Sequence, residues 1–259
     1  MLWKISFFCF NIFHPIFTQL VINVRNQGGE VLQETISSNI SDDTVVLEYQ
    51  NSDGTLITQF IDFKREVQVL KALVLGEEER GQSQYQVMCF VTHVASDDFI
   101  PSDALSKLRQ KNKGTIRTAE ENRGVVNKTL GILLFVPEIG IISKHAASIC
   151  SEAMDSTFSS YSDLEKWSLL LGKPISDLMT MVKTYRKPLE DIKCSDVSNL
   201  WLPCVCRLDL YIPWYPCRLK FCKTSNLASS TYKCGIKTCR RGFRFSYYVK
   251  YKQLCLWDV

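Results

Sequence analysis

Cysteine is distributed very unevenly in this chain, and that distribution limits its possible folds more than any other feature. Of eleven cysteines in 259 residues, eight lie in the last 66: Cys194, Cys204, Cys206, Cys217, Cys222, Cys234, Cys239 and Cys255. Only Cys89, Cys150 and Cys9 precede them. A cysteine-poor segment can stabilise itself by burying apolar surface, whereas a short, loop-rich one generally needs covalent staples. The expected organisation is therefore a front domain with its own core, over residues 20–160, and a helical linker, over 161–193. A small cysteine-rich β/loop domain follows over 194–259. Charge divides at the same place. From Cys194 onward there are eleven Lys and Arg against three acids, while the preceding residues hold twenty bases and twenty-four acids.

Residues 1–19 read as a secretory signal peptide. Lys4 is followed by the apolar run Ile5-Ser6-Phe7-Phe8-Cys9-Phe10 and then by Ile12-Phe13 and Ile16-Phe17. A membrane anchor needs about 20 consecutive apolar residues, and Asn11, His14 and Pro15 interrupt this run. Cleavage is placed between Phe17 and Leu20. Ile132–Ile142 is the nearest approach to a later span, broken by Pro137, Glu138 and Gly140. Setting Cys9 aside leaves ten cysteines, an even number that suits an oxidising compartment. Asn39-Ile40-Ser41 and Asn127-Lys128-Thr129 are acceptor triplets for N-glycosylation. The expectation is a secreted, extracellular glycoprotein with no stable membrane span.

The front half reads mainly as strands: Leu20–Val24, Val31–Ile36, Thr44–Tyr49, Thr55–Phe63, Val67–Leu75 and Tyr85–Val94, rich in β-branched and aromatic residues. Asn51-Ser52-Asp53-Gly54 supplies a hairpin turn in which Gly54 takes a positive φ. Ser102 begins a short helix with Leu105 and Leu108 on its buried side, and a second helix is expected over Lys144–Phe158. Residues 107–123 are strongly charged and their later part reads as a solvated loop, and 162–187 read as helix running into linker. The fold class is thus α+β: a front sheet with two helices, then a disulfide-rich β/loop domain.

The tail cysteines also raise zinc, through Cys204-Val205-Cys206 and the four-residue gaps in Cys217–Cys222 and Cys234–Cys239. No histidine follows His145, so disulfides are favoured over metal. Their pairing is left open, although Cys204 and Cys206 do not easily join each other. Cations cluster near aromatics: Arg218, Lys220 and Lys223 with Trp214, Tyr215 and Phe221, then Arg240, Arg241 and Arg244 with Phe243 and Phe245. In a secreted protein such a basic patch suits sulfated polysaccharide or an acidic protein surface, not nucleic acid, and it can equally be an ordinary solvated face. No serine-nucleophile elbow, phosphate-cradling glycine loop or metalloprotease helix motif is present, so neither an enzyme nor a cofactor is expected.

Several segments resemble the out at first protein family: Ile61-Asp62-Phe63-Lys64, Gly81-Gln82-Ser83-Gln84-Tyr85-Gln86, Cys89-Phe90-Val91-Thr92 and Ile100-Pro101-Ser102. In the tail, Pro203-Cys204-Val205-Cys206, Trp214-Tyr215-Pro216-Cys217, Tyr232-Lys233-Cys234-Gly235-Ile236 and Leu254-Cys255-Leu256-Trp257-Asp258 do the same. The front half also looks like a BRICHOS domain, through Asp62, Cys89, Cys150 and the Ile100-Pro101-Ser102 step. That resemblance implies a Cys89–Cys150 disulfide and a sheet that holds apolar, β-prone client peptides. Asp62, inside an apolar strand, is either a structural acid or a pH switch. The leading expectation is a non-enzymatic, chaperone-like binder of peptide segments, whose client can also be its own strand-like tail over Phe243–Tyr251. The alternative is an extracellular ligand or signalling and matrix modulator acting through the basic cysteine-rich domain.

Overall fold

The computed structural model describes residues 18–82, 84–95, 98–186, 192–223 and 231–256. The expected signal peptide, with Cys9, falls on residues 1–17 and lies outside them.

Six strands run as an antiparallel meander: β1 (Thr18–Arg25), β2 (Val31–Asn39), β3 (Thr44–Gln50), β4 (Leu56–Asp62), β5 (Val67–Leu75) and β6 (Tyr85–His93). Each alternates side chains between two faces, as the pleat requires, and Gly54, at φ +86°, closes the β3–β4 turn. After a one-turn helix α1 (Ser102–Leu105) come β7 (Ile116–Arg117), β8 (Glu121–Leu130) and β9 (Ile132–Leu134). Helix α2 (Lys144–Ile149), β10 (Thr157–Ser159), α3 (Tyr161–Leu171), α4 (Ile175–Leu178) and β11 (Val182–Tyr185) complete the front region. The tail is one long hairpin, β12 (Cys204–Lys223) and β13 (Thr231–Val249). A ten-stranded sheet has the order β11-β9-β10-β6-β5-β4-β3-β2-β1-β7, and a second has the order β12-β13-β8.

The ten-stranded sheet is the middle layer. Ile57 and Ile61 of β4, Leu70 and Ala72 of β5, and Met88 and Phe90 of β6 face one core, where they meet the inward row Cys204, Cys206, Leu208, Leu210 and Ile212 of β12. Phe60, Val67, Val69, Cys89 and Val91 face the opposite core, filled by Ile139, Ala146, Leu164, Trp167, Leu178 and Met181 from the helical segments. Rings join the first pair of layers. Phe90 stacks on Phe245 with centroids 4.4 Å apart, Tyr247 meets Phe90 at 5.3 Å and Phe158 at 4.7 Å. Gly242 is required by close approach: a Cβ there would sit 2.8 Å from the Tyr211 ring and 3.0 Å from Val125.

This architecture overturns the expected α+β class with a BRICHOS-like sheet and two helices. The chain is mostly β, with the ten-stranded sheet dominating and its helices short. The second helix stops at Ile149 with Cys150 as its C-cap, and residues 157–159 form β10 beside β6. Buried Thr157, Phe158 and Ser159 pair in the ladder, with β6 on one side and β9 on the other. Part of the expected solvated loop is instead β7 and the beginning of β8, and β11 lies in the expected linker. β8 pairs in parallel with β13, more than a hundred residues later in the chain. The boundary at Cys194 is thus one of composition, and the core crosses it.

One group in this core stands apart. Glu34 of β2 points inward between Leu32 and Ile36, fully buried, and among the described residues no side chain bonds to or pairs with its carboxylate. Burial pushes its carboxyl well above the ordinary carboxylate range, against the weaker pull of the Trp214 backbone amide. The native state therefore keeps a proton that the unfolded chain releases, and stability falls as pH rises through the range above about 4.5. Glu34→Gln is expected to remove this decline, gaining on the wild type as pH rises above about 4.5 in urea unfolding. A wild type with no such slope would show that Glu34 does not titrate this way. Cys89 and Cys150, 61 residues apart in sequence and joined, tie β6 to the end of α2. Replacing both with alanine should lower the unfolding free energy by about 4 kcal/mol, the chain-entropy value for such a loop.

Candidate functional site

A groove of about 600 Å³ opens where β6, β10 and the end of β13 converge. Buried Met88, Phe158 and Tyr247 form its floor, and the Tyr247 hydroxyl donates to the Met88 sulfur at 3.4 Å. Exposed Tyr85, Met154 and Leu254 stand at the rim. One wall is the segment 151–156 that follows α2, placed there by the Cys89–Cys150 bond. Three of the charged rim residues already have partners: Glu152 with Lys71 at 2.6 Å, Asp155 with Lys183 at 2.6 Å, and Arg186 over the Tyr248 ring at 3.9 Å. Their ammonium partners hold the Glu152 and Asp155 carboxyls below the usual range.

The groove also meets backbone. β10 reaches β6 only at Cys89 and Phe90, so residues 85–88 have, among the described residues, a strand partner on the β5 side alone. The Cys89 N–H donates outward to the Ser156 carbonyl at 2.9 Å, and Gly76 donates to Gln84 on the β5 side at 3.1 Å. Successive residues of an antiparallel strand alternate the direction of their polar groups. The N–H and C=O of Tyr85 and Val87 therefore point into the groove, with no backbone partner among the described residues. A cavity with an apolar floor and a free strand edge can accept an extended chain, main chain to main chain, with alternate side chains dropping onto the floor.

The residues singled out from sequence do not gather here. Asp62 is buried on the helical side, accepting from the Ser143 hydroxyl at 2.8 Å and from the Arg65 N–H at 3.1 Å, so it ties β4 to the N-cap of α2. The tail cysteines pair as Cys194–Cys204, Cys206–Cys255, Cys217–Cys239 and Cys222–Cys234. The sulfurs of Cys194, Cys206 and Cys255 lie within 4.8 Å of one another, but each is already bonded in a disulfide and unavailable as a thiolate ligand.

The six cations do not form one patch. Arg241 points inward to Asp98 at 2.6 Å, Arg244 and Arg207 clasp Asp209, and Lys220 pairs with Glu120 at 2.7 Å. Held first by Arg244 and then by Arg207, the Asp209 carboxyl is lowered to about 2. Arg218 and Lys223 are exposed and Arg240 is half-buried. Asn39 sits at the β2–β3 turn and Asn127 is exposed on β8. Sequence reasoning missed the groove because it is built from strand ends and a turn that carry no motif. Its one readable signal was the strand-like composition of 243–251.

Comparison with known proteins matches two family models, Out at first over residues 18–167 and Out at first, C-terminal, over residues 193–259. The chain is 52% identical over 251 residues to the Out at first protein of Drosophila virilis, covering 93% of this chain and 82% of that one. It is 51% identical over 253 residues to the Out at first protein of Drosophila melanogaster, covering 93% of this chain and 52% of the fly protein, about half its length. No solved structure matches. Matched across both its front region and its cysteine-rich tail, the chain belongs to the Out at first family.

Proposed function

We propose that this protein is a secreted, non-enzymatic glycoprotein that binds apolar, β-prone peptide segments, and that the groove beside β6 receives them as an added strand. The observation that carries this is the outward-facing backbone of Tyr85 and Val87 above a floor of Met88, Phe158 and Tyr247. The broad face of the sheet is not available for such a client, because β12 and β13 cover it. Binding at that face is intramolecular, and the tail there is the chain's own. Five disulfides agree with secretion, as does the lack, among the described residues, of a helix long and apolar enough to cross a membrane. All ten cysteines from Cys89 onward are bonded, which leaves no thiol nucleophile among the described residues. A matrix or signalling role through the basic tail draws less support, since Lys220, Arg241 and Arg244 are committed to acids.

The test uses a fluorescein-labelled peptide of alternating valine and threonine, followed by anisotropy with the secreted protein. Tyr85 is the first residue of β6, a position where proline is tolerated, and its N–H is not used by β5. Tyr85→Pro should weaken binding by about tenfold, as loss of one hydrogen bond predicts, while Tyr85→Ala, which keeps the N–H, separates out the ring's share. Absence of saturable binding by the wild type, or equal binding by Tyr85→Pro and Tyr85→Ala, would overturn the assignment of the groove.

A further inference from the structure

A sheet edge is a row of unpaired backbone groups on which another strand can assemble. Soluble proteins blunt such edges with short strands, charge, proline, bulges or covering elements. The two sheets here have four edges. β7 is two residues long and β11 four. β12 carries Pro213 and Pro216 at its register shifts, together with Arg207, Asp209 and Arg218. β8 is different: ten residues long, it is paired among the described residues on one side only, with β13.

The charges of β8 are directed elsewhere. Glu121 pairs with Lys237, Arg123 with Asp98 at 2.8 Å, and Lys128 with Asp163 at 3.6 Å. Beyond Gly124, whose positive φ coincides with a register shift against β13, the outward residues are Val125, Asn127 and Thr129. All three are exposed and uncharged. The bulge therefore protects only the start of the strand, and no charge protects the rest. Asn127 and Thr129 are also the first and third residues of a glycosylation triplet, and on a strand the first and third residues share a face. The Val125 side chain on that face is exposed beside Gly242, while Val126 on the other face packs against the core shared with the ten-stranded sheet, so this face points away from that sheet.

We propose that an N-glycan on Asn127 covers the open edge of β8 and prevents a second copy of the chain from pairing with it. This rests on the glycoprotein reading above. The other triplet makes a natural control. Asn39 ends β2, a strand flanked on both sides by β1 and β3, and at the turn into β3 its amide donates to Asp42 at 2.9 Å and its side-chain carbonyl accepts from the Ser41 hydroxyl at 2.6 Å.

The experiment combines glycopeptide mapping of the full secreted chain with light scattering across a concentration series, on variants whose near-UV circular dichroism matches the wild type. Wild type is expected to carry glycan at Asn127, and Asn127→Gln to self-associate as concentration rises. Asn39→Gln should scatter like the wild type. So should Asn127→Lys, which lacks the glycan but restores charge to the edge. A bare Asn127 in the wild type would sink the glycan reading at this site and the proposal with it. An occupied Asn127 with no added association in Asn127→Gln would leave the glycoprotein reading intact and overturn the edge-cap proposal alone. Association of Asn127→Lys equal to that of Asn127→Gln would also overturn it.

Discussion

The stack of Phe90 on Phe245, with Tyr247 and Phe158 closing around it, is the contact on which the rest of the structure depends. Aromatic pairs of this kind contribute about 0.5–1.5 kcal/mol each beyond the area they bury, but here position matters more than magnitude. Phe90 lies in the middle of the front sheet and Phe245 in the tail hairpin, so the stack sets where the second sheet sits on the first. No disulfide among the described residues does this work. Four of the five lie within the tail, and the fifth joins β6 to the end of α2. The tail is stapled to itself and held to the front by packing.

A hairpin of two strands is marginal alone in water, and this one gains stability from both sides. Its inward residues, Phe243, Phe245 and Tyr247 on one strand and Leu208, Leu210 and Ile212 on the other, bury against β1 to β6. Its edge gains β8, a strand supplied by the front region. Polar groups then lock the register from outside the core: Asp98 binds both Arg123 of β8 and Arg241 of β13, and the Ile100 amide donates to the Pro216 carbonyl at 3.0 Å. The groove is a by-product of this closure. β10 reaches only the centre of β6, and β8 stops at Leu130 while β13 continues to Val249, so strand ends are left facing a shared space.

Local structure was legible where the pattern was local. The six strands of the meander are short runs of β-branched and aromatic residues between turns, and the Asn51–Gly54 turn is where its glycine predicts. β8 was not legible. Glu121, Arg123 and Lys128 give it the composition of a solvated loop, and the acids and bases that neutralise them lie in distant parts of the chain. The pattern extends the second helix too far because Thr157 and Phe158 fit a helical stripe as readily as a buried strand, and only the presence of β6 beside them decides. Asp62 read as a candidate switch because its two donors, Ser143 and Arg65, are set by folding.

By itself the sequence determined the cysteine-dense tail, its basic balance, the meander strands and the family, since each is written in residue types close together along the chain. Tertiary structure alone decided which cysteines pair, which cations are bound to acids, that the tail covers the sheet, and that a groove with an open strand edge remains among the described residues. Those outcomes depend on contacts between segments tens to hundreds of residues apart, where packing geometry selects among partners that composition leaves equivalent.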